Sequence, residues 1–168
     1  MTQIHGTESD GIGIDAATRA RIGDFLASYA HAIDDGEVER WPDFFTEDGR
    51  YHLATRESHA AGLPIGIITD NSRAMLRDRV AALREANIYE PHVYNHLLGP
   101  AVLQATAEGW RARSNFQVVR TMQDGRADLF ATGRYFDRVV AREGRLLFAE
   151  RLVLIDSRRI DILLVLPL

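Results

Sequence analysis

The sequence predicts an α+β domain in which helices pack on one strongly curved, mixed but mostly antiparallel sheet. Three observations carry this. Apolar residues recur at helical spacing twice in the first half of the chain, over about residues 16–34 and 72–87. From residue 92 onward the pattern changes to alternation in several consecutive runs. Gly125 and Gly144 then fall between alternating runs, where hairpin turns need a residue tolerant of positive φ. At 168 residues the chain is one domain with room for a sizeable core.

The elements follow in order. Residues 1–14 hold three glycines and small polar residues without an apolar cluster, which predicts a flexible arm before a single domain over 15–168. Ile22, Phe25, Leu26, Tyr29, Ala30 and Ile33 make one helical stripe, with Asp15 as N-cap and Gly36 supplying the left-handed stop. A short helical segment follows over 39–45, turning Trp41, Phe44 and Phe45 inward. Residues 50–55 alternate and predict a first strand; 56–69, with two glycines and a proline, predict a surface loop. The second helix, over 72–87, is expected to be capped by Asp70 or Asn71 and to bury Leu76, Val80 and Leu83. Pro91 forbids its continuation. Strands are predicted over 92–105, 110–122, 129–140 and 146–155, with a last apolar strand over 160–166.

Composition excludes several chemistries. There is no cysteine, so thiolate zinc sites, cysteine-ligated iron–sulfur clusters and cysteine nucleophiles are out, and a reducing cytoplasm is the compartment that fits. All twenty basic residues are arginine, which removes Schiff-base lysines and a phosphate-loop lysine. A net charge of −4 without a basic block argues against nucleic acid. No apolar run is long enough to span a bilayer, and none has the form of a secretion signal.

Four groups of residues invite a functional reading. His92, Tyr94 and His96 share one side of a strand, where four residues of rise separate the two histidines by roughly 13 Å; one ion does not bridge them. We therefore expect no metal site. His31 and Asp34 lie three apart on the first helix, one turn from Tyr29, and a carboxylate orienting an imidazole is a proton-transfer device. The same residues also read as an ordinary helix end. Arg73, Arg77 and Arg84 share one face of the second helix, and the last two have no acid three or four positions away. Carboxylates on a partner would satisfy them. Leu164, Leu166 and Leu168 belong to an apolar tail that must be buried in the core or against another chain.

These features resemble a family. Tyr29-Ala30-His31-Ala32-Ile33-Asp34 followed by Trp41-Pro42-Asp43-Phe44-Phe45-Thr46 is similar to the opening of the small (β) subunits of Rieske-type aromatic-ring-hydroxylating dioxygenases. So are residues 70–99, Phe130-Ala131-Thr132-Gly133-Arg134-Tyr135-Phe136-Asp137 and the closing Leu166-Pro167-Leu168; within the family the look is that of terephthalate and other aromatic-carboxylate dioxygenases. The resemblance covers nearly everything from residue 20 and implies a cystatin-like, nuclear-transport-factor-2-like cone. It implies a non-catalytic subunit without a cofactor of its own, trimeric within a three-plus-three hexamer. The Rieske [2Fe-2S] cluster and mononuclear iron would sit on the α partner. The alternative is a stand-alone dehydratase, isomerase or cyclase of the same fold using a His31–Asp34 pair, with Tyr29, in the cone pocket.

Overall fold

The computed structural model describes residues 13–63, 66–85, 90–157, 164 and 166–168. Helix α1 (Ala16–Asp34) starts where Asp15, in extended conformation, accepts a hydrogen bond from the Thr18 N–H at 2.6 Å. It stops at Gly36, φ 74°, whose N–H reaches the Ile33 carbonyl at 3.0 Å. Ile14, assigned by sequence to the flexible arm, packs against the core; the arm before Gly13 lies outside the described residues. A 3₁₀ segment (Val38–Phe44) then buries Trp41, and strand β1 (Phe45–Thr55) opens on a fully buried Phe45.

β1 is longer than the predicted 50–55. Its first half contains Thr46-Glu47-Asp48-Gly49, which reads as a turn but forms a bulge where the pairing register with the last strand shifts. The stretch expected to be a loop over 56–69 holds two short elements instead: α2 (Arg56–Ala60), capped by the Thr55 hydroxyl, and β2 (Ile68–Asp70), paired antiparallel to β1. Both are too short for a periodic signal. Helix α3 (Arg73–Glu85) buries Leu76 and Leu83 and half-buries Val80. Its cap differs from the prediction. Ser72 Oγ accepts the Met75 N–H at 3.3 Å, while Asp70 binds Arg79 through both oxygens, at 2.7 and 3.0 Å. The last two positions of the predicted helix, 86 and 87, lie outside the described residues.

The predicted strand 92–105 is two strands, β3 (His92–Leu98) and β4 (Val102–Ala105), broken at Gly99-Pro100, where proline offers no N–H to the ladder. They pair with the two ends of β5 (Trp110–Met122), which pairs with β6 (Ala127–Arg142), which pairs with β7 (Arg145–Ile155). Gly125 and Gly144, φ 86° and 78°, sit in the hairpins as predicted. The sheet order is β2-β1-β7-β6-β5-β3, with β4 beside β5, and every pairing is antiparallel except β1 with β7. Register shifts at Val118/Val119 and Arg138/Val139 bend the long strands. Gly133 permits close approach: a Cβ there would lie 2.2 Å from the Leu154 carbonyl oxygen.

The helices cover one face of this sheet. Tyr51, Leu53, Phe116, Val118, Tyr135, Phe148 and Val153 point into the shared core. Leu166 and Leu168, offered by sequence as interface residues, are buried in that same core, and Leu164 is half-buried against it. Tyr29 and Tyr51 donate to the Leu168 carbonyl at 3.1 and 3.0 Å. The rest of the predicted final strand, 160–163 and 165, lies outside the described residues.

Candidate functional site

The carboxylate at the end of α1 meets an imidazole, but not that of His31. His31 is exposed and takes no part in the contact. Asp34 faces β3 instead: one oxygen accepts the His96 backbone N–H at 2.8 Å, the other contacts His96 Nδ1 at 2.5 Å. The His96 side chain is wholly enclosed and that of Asp34 nearly so, at 0% and 11% exposure. The other ring nitrogen, Nε2, is buried and has no hydrogen-bond partner among the described residues. Alternation had placed His96 on one side of its strand with His92 and Tyr94; only the chain's path brings α1 against it.

A second buried pair lies deeper. Asp137 and Arg151 stand opposite each other on β6 and β7, joined at 2.8 and 2.9 Å in a two-pronged contact. The guanidinium is stacked among the rings of Tyr29, Tyr135 and Phe148, 4.0, 4.1 and 4.2 Å from their centroids. Burial opposes the charge on Arg151, but the facing Asp137 carboxylate outweighs it and holds Arg151 above its ordinary value. Burial also drives the Tyr51 and Tyr135 hydroxyls well above the usual tyrosine range, and Tyr29 upward. Sequence reasoning missed Arg151. Its signal was a charged residue at an inward position of an alternating strand, and that cannot name the partner.

The other nominated residues fall into place. Tyr29 accepts from Trp41 Nε1 at 3.0 Å and serves the core. His92, Tyr94 and His96 do share a side of β3, ring to ring at 5.2 and 6.1 Å. Among the described residues no group of three or more His, Asp and Glu side chains is placed to hold a metal ion. The arginine row of α3 finds its carboxylates within the chain: Arg73 pairs with Glu47, Arg77 approaches Asp43 at 4.0 Å, and Arg84 grips Glu39 at 2.6 and 3.1 Å. These acids come from the 3₁₀ segment and β1, so helix spacing alone could not reveal them. Four surface clefts of about 390 to 500 Å³ are lined by neither Asp34 nor His96. Both side chains of the pair are thus almost shut off from solvent.

Helices over one face of an open mixed sheet, with polar pairs locked inside, define a nuclear-transport-factor-2-like domain. Residues 15–152 match the family model of the SnoaL-like domain. The chain is 42% identical over 149 residues to the β 1 subunit of the terminal oxygenase component of terephthalate 1,2-dioxygenase from a Comamonas species, covering 88% of this chain and 97% of that one. It is 38% identical to the small subunit of anthranilate 1,2-dioxygenase from Burkholderia cepacia, over 83% of this chain and 88% of that one. The crystal structure of an aromatic-ring-hydroxylating dioxygenase β subunit from Novosphingobium aromaticivorans superposes with a TM-score of 0.80 at 34% identity, covering 89% and 95% of the two chains. The chain belongs to the SnoaL-like domain family and, within it, to the small (β) subunits of aromatic-ring-hydroxylating dioxygenases.

Proposed function

We propose that this chain is the non-catalytic, structural small subunit of a multicomponent dioxygenase that cis-dihydroxylates a carboxylated aromatic ring. The observation that carries the reading is the near-full-length likeness, at 42% identity, to a terephthalate dioxygenase β subunit. The cysteine-free composition supports it, since a Rieske cluster needs thiolate ligands that this chain lacks. In this reading the cluster and the mononuclear iron belong to a large α subunit. The small chain forms a trimer within a three-plus-three hexamer, in the cytoplasm, and gives the α chains a rigid base. No helix among the described residues is long and apolar enough to cross a membrane.

Co-expression with an α subunit encoded beside it, followed by native mass measurement, tests the reading. A complex with equal numbers of the two chains is expected, with ring oxidation only when both are present. A small chain that stays monomeric and ignores the α subunit would refute it. The stand-alone enzyme alternative would run on Asp34–His96 rather than on His31, and their 2.5 Å contact is what favours it. Against it stands the core that encloses the pair.

A further inference from the structure

The sheet has three edge strands, and they are not equally protected. β2 is three residues long and β4 four, lengths that offer an incoming strand little to pair with. β3 is seven residues long, and among the described residues no strand pairs with its far side. Its Val93 and Leu97 side chains are 57% and 54% exposed. A long edge carrying apolar side chains is the kind that recruits a strand from another chain.

Which backbone groups face that far side follows from one bond. The Gly99 N–H, next after β3, donates to the Asn115 carbonyl on β5 at 2.8 Å. Backbone groups alternate in direction along an antiparallel strand, so the odd-numbered residues of β3 turn theirs to β5. Tyr94, His96 and Leu98 turn theirs outward. In the middle of this outward row the donor is taken. The His96 N–H goes to one oxygen of Asp34 at 2.8 Å, while His96 Nδ1 fixes the other at 2.5 Å. Both oxygens of a nearly buried carboxylate, at the last position of α1, are thus spent on one residue of the edge. A carboxylate oxygen is an acceptor, so an incoming carbonyl finds its place occupied and meets no donor there. Pro91 and Pro100 supply no N–H at either end of the strand.

We propose that Asp34 guards the free edge of β3: by occupying the His96 N–H it keeps an extended segment of a second copy from adding to the sheet. Strand order and this contact carry the assignment, whatever the chain assembles with. The test compares the full chain with Asp34→Ala, with Asp34→Ala/Leu97→Lys, and with Leu76→Ala, a truncation at a fully buried site on α3. Mass is followed against concentration well below each melting temperature, together with the infrared band of intermolecular antiparallel sheet and hydrogen exchange of the His96 amide. Asp34→Ala should associate beyond the wild-type mass and show the intermolecular band. Its His96 amide should exchange at least about tenfold faster than in wild type. Leu76→Ala should melt earlier yet keep the wild-type mass. A charge placed on the edge by Leu97→Lys should return Asp34→Ala to the wild-type mass without returning its melting temperature. Equal association of Leu76→Ala, or no suppression by Leu97→Lys, would mean loosened packing rather than an opened edge and overturns the proposal. An Asp34→Ala chain that keeps the wild-type mass at every concentration overturns it as well. Should Asp34→Ala not fold, the wild-type chain decides. A His96 amide exchanging as fast as exposed loop amides overturns the proposal, and one protected like the amides inside β6 supports it.

Discussion

Arg151 is a costly residue to bury and is held from several sides. A guanidinium and a carboxylate, both almost without solvent contact, are tolerable only because Asp137 binds it through both oxygens and three rings stack on it. Removing one partner leaves an isolated buried charge. Asp137→Ala should lower unfolding free energy by about 3–5 kcal/mol in urea titration, and replacing both residues by apolar side chains should recover much of the loss. The buried tyrosines set a different limit. Tyr51 and Tyr135 have folded pKa values raised above the ordinary 10.0 by burial. A raised acid contributes stability that is whole below its unfolded pKa and is lost as pH rises toward the folded one. Stability should therefore not respond to these groups at neutral pH and should fall above pH 10.0. Tyrosinate absorbance of the buried rings should appear together with loss of the circular-dichroism signal. Ionisation of all the tyrosines before any unfolding would contradict this.

At the scale of elements, α3 is fastened to the 3₁₀ segment by charge as well as by Leu76 and Leu83. Arg84 depresses the Glu39 carboxyl below its ordinary 4.5 through its side-chain hydrogen bonds. A depressed carboxylate contributes stability above its unfolded pKa, lost as pH falls through the folded value. The pair is exposed, so a double-mutant cycle with Glu39→Ala and Arg84→Ala should give about 0.2–1 kcal/mol at neutral pH. The coupling should vanish as pH falls through and below the carboxylate range; a coupling unchanged by strong acid would show that the pair is only geometric. The long strands were legible as elements because each turns one face to the core and alternates over ten or more residues. α2 and β2 were not, because five and three residues carry too little periodicity to rise above loop composition. β1 was shortened for a related reason: Gly49 looks like a turn residue, and only the pairing with β7 makes it a bulge.

For the whole molecule, the decisive placement is that of the tail. Leu168 is fully buried, its carbonyl bonded by Tyr29 and Tyr51 and its N–H donated to the Tyr51 hydroxyl at 3.0 Å. Leu166 joins the same core. Their first duty is therefore to the chain itself, so Leu168→Ala should cost about 2–5 kcal/mol in the isolated small chain. Thermal unfolding of that chain alone checks it; a melting temperature equal to wild type, with only assembly impaired, would return the residue to an interface role.

Periodicity, turn residues and composition by themselves determined the class of fold, the two long helices, the hairpins at Gly125 and Gly144, and the exclusion of thiolate chemistry. Those properties are local: each is fixed within about a dozen residues by backbone geometry and by which side chains suit water. The tertiary structure alone decided the pairs. Asp34 lies three residues from His31 and 62 from His96, yet the contact is with His96. Arg73, Arg77 and Arg84 look unpaired along their helix and are matched by acids from the preceding segment and β1. Arg151 meets Asp137 only through the β6–β7 ladder. Electrostatic and hydrogen-bond partners are chosen by distance in space. A single sequence records side-chain chemistry and local period but not which distant segments the core brings together.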